Sequence, residues 1–183
     1  MKKQYGFYVD LDRCLKCCGC QVACKMEHNL PPLPGSPAGT QGLKWRRVVE
    51  ILSGSYPDFK KLFVSLSCMH CAKPACAAVC PTGAISKRVE DGIVVVDSNK
   101  CIGCHYCFFA CPFGAPQYGD DGLMQKCNYC LERLEKGLEP ACSNTCPAQA
   151  LHTGTMEELA QLAAKKAGTR LAASTQPSIL ISK

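Results

Sequence analysis

The sequence predicts an α+β chain of short strands and short helices, organised by cysteine loops rather than by one large apolar core. Three observations carry this expectation. Seventeen cysteines stand among 183 residues. Sixteen of them fall into four groups of four with closely repeated spacing. Between the groups lie short runs rich in Val, Ile, Phe and Leu, bounded by Gly, Pro and Asp, which read as strands and turns rather than long helices.

Such a cysteine density means either a disulfide scaffold or a metal framework. The N-terminal residues favour metal. Lys2 and Lys3 resemble a basic leader, but the apolar stretch Tyr5 to Val9 is broken at once by Asp10, Asp12 and Arg13, so no secretory signal is expected. No run of 18 apolar residues occurs, so no direct membrane span is expected either.

Taken in order, Tyr5 to Asp12 alternates apolar and polar residues, with Tyr5, Phe7, Val9 and Leu11 on one side, and predicts a half-buried strand. It leads into group one, Cys14, Cys17, Cys20 and Cys24, spaced C-x2-C-x2-C-x3-C. Bacterial ferredoxins hold [4Fe–4S] clusters by this spacing. Three thiolates two residues apart wrap three corners of the cube, and the fourth sits one helical turn further on, about 5–6 Å along the axis. With Lys25 where a Pro commonly follows, the short helix is expected to run on through Glu27. Leu30 to Gly42, with four prolines and three glycines, predicts a loop. Lys44–Leu52 and Leu62–Leu66 predict a strand pair, with Trp45 as an aromatic plug at its start.

Group two is Cys68, Cys71, Cys76 and Cys80, with two extra residues before Cys76. Lys87 to Asp97 then reads as a hairpin turning at Asp91-Gly92. Group three, Cys101, Cys104, Cys107 and Cys111, is the ferredoxin run in full, with Pro112 behind it and Gly103 relaxing the backbone. In two-cluster ferredoxins the last cysteine of such a run ligates the other cluster, so one run announces a second. Group four, Cys127, Cys130, Cys142 and Cys146, is looser, and taken alone it fits a zinc knuckle equally well. Beside three ferredoxin runs the cluster is preferred. Cys-Pro-x-x-Ala recurs at Cys80, Cys111 and Cys146 and marks an internal repeat. Cys18 is left over and is expected to point away from the cube. The four histidines are expected in loops or in support of the thiolates, since each group already has its four cysteines. From Thr155, the spacing of Met156, Leu159, Leu162 and Ala163 predicts a helix stopping at Gly168, followed by a strand or docking tail at Pro177–Lys183.

The formal charge of +6 invites a nucleic-acid reading, which is rejected because the basic residues are scattered singly. Four clusters at roughly −2 each would bring about −8 and leave the loaded chain slightly acidic. No Gly-rich nucleotide fingerprint and no nucleophile–base constellation is found, so the chain is read as non-catalytic.

The segments Gln4–Cys14, Ser67–Ala84, Asp91–Tyr118 and Lys126–Leu151 together resemble the iron–sulfur B subunits of the dimethyl-sulfoxide-reductase class of molybdoenzyme complexes. Polysulfide-reductase, nitrate-reductase and formate-dehydrogenase subunits are wider relatives. The resemblance implies two interleaved ferredoxin-like units holding four [4Fe–4S] clusters. One unit takes residues 1–60 and 112–156, with the proline-rich insertion at 30–42. The other takes 61–111, and 157–183 forms a C-terminal helix and docking tail. It also implies exchanged last ligands: Cys14, Cys17, Cys20 and Cys146 (set one); Cys127, Cys130, Cys142 and Cys24 (set two); Cys68, Cys71, Cys76 and Cys111 (set three); Cys101, Cys104, Cys107 and Cys80 (set four). Some relatives carry Trp at the position of Cys104 and a [3Fe–4S] centre there; this chain keeps Cys. The implied role is an electron wire between a membrane quinol anchor and a molybdenum- or tungsten-bis-pterin catalytic subunit. The chain would receive its clusters in the cytoplasm and reach either membrane face through its partners, with a twin-arginine signal on the catalytic subunit for export. A polyferredoxin serving a tungsten aldehyde oxidoreductase, formate dehydrogenase or hydrogenase is the alternative, and a zinc interaction module is the reading from a different class.

Overall fold

A computed structural model describes residues 3–30 and 42–182. Apart from its two end residues, the stretch expected as a proline-rich loop, Leu30 to Gly42, lies outside them. Sixteen short elements follow in the order β1 (Tyr5–Val9), α1 (Gly19–Glu27), β2 (Arg47–Ser53), β3 (Lys60–Leu66), α2 (Ala75–Ala78), β4 (Ile85–Lys87), β5 (Val94–Val96), α3 (Tyr106–Ala110), β6 (Gln117–Tyr118), β7 (Met124–Gln125), α4 (Leu131–Glu135), α5 (Ala141–Asn144), β8 (Leu151–Thr155), α6 (Met156–Ala164), β9 (Thr169–Arg170) and β10 (Ile179–Ile181). The architecture is the expected mixed α+β one, with small sheets and short helices.

The largest sheet has the order β8-β1-β10-β9. β1 pairs antiparallel with β8, from Tyr5 opposite Thr155 to Val9 opposite Leu151, and parallel with β10, Phe7 lying opposite Ile179. Its alternation sends Phe7 and Val9 into the main core beside Met69, Ile93 and Tyr129. The strand is nevertheless buried on both faces, not half-buried as its pattern suggested. Tyr8, on the second face, is covered by Leu159 and Ala163 of α6. α6 starts with a capping box, in which Thr155 Oγ1 accepts from the Glu158 N–H and the Glu158 carboxylate accepts from the Thr155 N–H. It does not stop on a left-handed Gly168. Ala167 takes that conformation at φ 48°, while the Gly168 N–H reaches Ala163 O at 2.8 Å. An added Cβ on Gly168 would sit 2.8 Å from Ala163 Cβ, so the glycine serves close approach instead.

The two other expected strand pairs form antiparallel hairpins. β2 and β3 run from Arg47 opposite Leu66 to Ser53 opposite Lys60. β4 and β5 meet with Ile85 opposite Val96, and their turn closes through Arg88 N to Ile93 O at 2.8 Å with Gly92 at φ 71°. The very short β6–β7 hairpin, which the sequence did not announce, pairs Gln117 with Gln125. Among the helices, α1 packs against α5 and α2 against α3. These two contacts bring the cysteine loops together.

Candidate metal centres

The four cysteine groups share one backbone device. The residue just before the second cysteine is left-handed in every group: Lys16 (φ 56°), His70 (φ 41°), Gly103 (φ 65°) and Tyr129 (φ 63°). That conformation costs a non-glycine residue about 1–2 kcal/mol, so three of the four loops carry strain that something else must offset. At Gly103 a side chain is excluded as well, because a Cβ would sit 2.7 Å from Gly122 O. Two residues further on, Cys18 (φ 60°) and His105 (φ 63°) occupy matching left-handed positions at the N-termini of α1 and α3. Cys18 therefore stands where group three has a histidine.

The Cys-Pro-x-x-Ala repeat is a second device. Gly83 N bonds Cys80 O at 3.3 Å, Gly114 N bonds Cys111 O at 3.3 Å, and Gln149 N bonds Cys146 O at 3.1 Å. Each donor residue again has positive φ, and the following Ala84, Ala115 and Ala150 are buried.

These turns gather cysteines from distant groups. One apolar cavity is lined by Cys14, Cys17, Cys20 and Cys146, with Val9, Val48, Ala150 and Leu151. Cys18 belongs to the same wall, and its Sγ lies 3.5 Å from the Lys16 carbonyl. Another cavity is lined by Cys80, Cys101, Cys104 and Cys107, with Ile85, Met124, His105 and Tyr118. Burial, and then the charges of Cys127, Cys142 and Cys130, pushes the Cys24 thiol up. Burial, and then the charges of Cys68, Cys111 and Cys71, does the same at Cys76. Cys142 adds to the upward push on Cys20, and Cys68 to that on Cys127. α2 carries Cys76, with Cys80 just past its C-cap, and packs against α3, which with its C-cap carries Cys107 and Cys111. Among the described residues no group of His, Cys, Asp or Glu is drawn tightly enough to hold a single metal ion.

The donor set fits an iron–sulfur cluster. Soft thiolates are the ligands such clusters use, and hydrogen-bond donors already point at the sulfurs. The N–H groups of Tyr129, Ala150 and Met124 reach Cys127, Cys146 and Cys101 Sγ at 3.4, 3.3 and 3.5 Å. Side chains stand within hydrogen-bond distance of further sulfurs, Ser65 Oγ at 3.4 Å from Cys20, His28 Nε2 at 3.4 Å from Cys130 and Tyr118 Oη at 3.2 Å from Cys107, where each could donate to a thiolate. Burial pushes the Cys76 and Cys130 thiols up to about 12, so without iron they hold their protons. Iron binding would release them. At Cys80, burial alone pushes upward, but hydrogen bonds from Thr82 and the N–H groups of Ile85, Thr82 and Ala84 hold it below the ordinary thiol value. Such a cluster, when bound, takes up and releases one electron at a time.

The histidines stand beside the cysteines. His28 lies against Trp45 with ring centroids 4.5 Å apart, and Trp45 is half-buried on the core. His70 is wholly buried, and its Nδ1 accepts from Val94 N at 3.1 Å. Burial, with the charges of Lys126, Lys87 and Arg46, holds it well below the usual histidine value and neutral. His105 stacks on Tyr118 at 3.8 Å and His152 on Tyr8 at 5.6 Å. No pattern of residues announced the inward-turned cations, of which Lys126 and Arg46 are buried and Lys87 partly so. Lys126 Nζ donates to Val94 O and Cys127 O, and Lys87 Nζ donates to Gln4 Oε1, Cys71 O and Gly92 O. Arg46 is 2% exposed.

Residues 59–156 match the 4Fe-4S dicluster domain. The protein is 42% identical to YnfG of Escherichia coli, a probable anaerobic dimethyl sulfoxide reductase subunit, over 97% of its own length and 84% of that relative's. It is also 42% identical to the B subunit of anaerobic dimethyl sulfoxide reductase from the same organism, over 87% and 77% of the two. The formate dehydrogenase iron-sulfur subunit of Wolinella succinogenes is 39% identical over 84% and 82%. The fold, the cysteine-lined cavities and these likenesses define an iron–sulfur electron-transfer protein that binds [4Fe–4S] clusters. It belongs to the 4Fe-4S dicluster family, among the iron–sulfur subunits of oxidoreductase complexes. No described helix is long and apolar enough to cross a membrane.

Proposed function

We propose that sets one to four each hold a [4Fe–4S] cluster, and that the chain passes electrons singly along a row of four. One end of the row exchanges electrons with a membrane quinol anchor, the other with a molybdenum- or tungsten-bis-pterin catalytic subunit. The chain itself carries no catalytic step. The observation that supports the reading is the lining of two cavities, where Cys146 stands with Cys14, Cys17 and Cys20, and Cys80 with Cys101, Cys104 and Cys107. On this reading the last cysteines are exchanged, and the chain forms two ferredoxin-like units, residues 1–60 with 112–156 and residues 61–111, with 157–183 appended. The chain would meet the membrane only through its partners. Relatives named as parts of dimethyl sulfoxide reductase support the class of complex. The formate dehydrogenase iron-sulfur subunit supports a second assignment, in which the same wire serves formate oxidation.

The test is anaerobic affinity purification from solubilised membranes, with Fe, Zn, Mo and W analysis and mass spectrometry of the eluate. About sixteen iron atoms per chain, molybdenum or tungsten, a large pterin enzyme and an anchor are expected. Iron without a partner would overturn the complex, and zinc without iron would overturn the clusters.

A further inference from the structure

Arg46 is a buried cation for which the described residues form no ion pair. Its guanidinium lies 4.5 Å over the Phe7 ring. Nη1 donates to Ser65 Oγ at 3.0 Å and to Ser65 O at 3.5 Å, and Nη2 donates to Ser67 Oγ at 2.9 Å. Among the described residues no carboxylate forms an ion pair with it. Taking a charge out of water costs several kcal/mol unless an opposite charge is close, and two serine hydroxyls do not provide one. The groups whose charge acts on Arg46 are Cys142, Cys127, Cys20 and Cys24, three from set two and one from set one. As neutral thiols they offer no compensation; as ligands of anionic clusters they do.

The hydrogen-bond directions add a second observation. A guanidinium only donates, so Ser65 Oγ accepts from Nη1 and its own hydroxyl proton is free to point elsewhere. Cys20 Sγ lies 3.4 Å from that oxygen. The chain Arg46–Ser65–Cys20 is thus a polarised donor aimed at a set-one sulfur. Lys126 and Lys87 differ, since their described hydrogen bonds end on backbone or amide oxygens.

We propose that Arg46 is a positioning residue of the electron relay, raising the reduction potentials of the set-one and set-two centres by its charge and, at set one, also through Ser65. This rests on the reading that those sets hold clusters. A cation near a cluster stabilises the added electron, and burial between two sets lets one side chain act on both.

The test is an EPR-monitored redox titration of the whole chain in its purified complex, with the set-one and set-two signals assigned by their loss in Cys14→Ala and Cys130→Ala. Arg46→Gln is expected to lower the one-electron reduction constants of both centres about tenfold, which is about 59 mV, with sets three and four unmoved. Arg46→Lys should restore set two more fully than set one. Ser65→Ala keeps the cation and should lower set one alone. Unmoved potentials in Arg46→Gln with all signals present would overturn the proposal, as would equal shifts at all four centres. Should Arg46→Gln lose its clusters, Ser65→Ala decides: a shift confined to set one supports the relay, and no shift refutes it. A wild-type complex without iron overturns the functional reading, and this proposal with it, before any variant is made.

Discussion

Tyr118 lies flat on His105 and reaches Cys107 Sγ with its hydroxyl. Burial, and then the hydrogen bond and charge of Cys107 itself, push the phenol further above its already high pKa, so it stays protonated and donates. A donor to a ligand sulfur favours the reduced cluster, which carries the extra negative charge. Tyr118→Phe is therefore expected to lower the midpoint potential of the set-four centre by the worth of about one hydrogen bond, ~1 kcal/mol, and leave iron content unchanged. A redox titration of that signal checks it; an unchanged potential would show that the hydroxyl does not report to the sulfur. Residues of this kind were hard to read from the chain. Cysteine spacing is local and survives in sequence, whereas Tyr118 is a routine aromatic until β6 and α3 bring it to Cys107. The left-handed positions were legible only at Gly103, because Lys16, His70 and Tyr129 adopt the same backbone without the residue type that advertises it.

At the scale of elements, the C-terminal ends of β1 and α6 are tied together by an ion pair. Lys166 Nζ lies 2.5 Å from Asp10 Oδ2, and the Asp10 side chain is 3% exposed. Burial by itself pushes the Asp10 carboxyl up. The Lys166 hydrogen bond and charge, with the N–H groups of Arg13 and Asp12, outweigh it and hold the group below the usual carboxylate value. A depressed folded value means this stability is fully present above the unfolded pKa of about 3.9 and is lost as pH falls through the folded one. Asp10→Asn is expected to be less stable than wild type at neutral pH, with the gap closing below about pH 4. Thermal unfolding of both proteins from neutral to acid pH measures this, and a gap that persists in acid would refute it. The strand itself was visible in the alternation from Tyr5 to Leu11. Its second buried face was not, because a period of two says nothing about a helix that returns from residue 156 to cover Tyr8. The partner of the tail was equally hidden. The segment around Ile179–Ile181 has the composition of many strands, and only the assembled sheet shows it parallel to β1.

Across the whole molecule, cysteines are part of the core rather than ornaments on it. Cys20, Cys68, Cys127 and Cys142 are buried in the main apolar cluster beside Phe7, Val9, Met69 and Tyr129. Iron removal by an anaerobic chelator is thus expected to unfold the chain, with far-UV circular dichroism falling in step with iron release. A native spectrum after the iron has gone would show that the polypeptide stands without its clusters. Part of the positive charge that first suggested nucleic acid is likewise turned inward, at Arg46, Lys87 and Lys126. β1 carries one more implication, for biogenesis. Its neighbours on the two sides are β8 and β10, made long after it. A ribosome delivers residues in order, so this early strand emerges with both edges bare and stays so until residue 151 and then residue 179 have cleared the exit tunnel. The strand must be shielded until those residues arrive, and the centre of the main sheet closes only then.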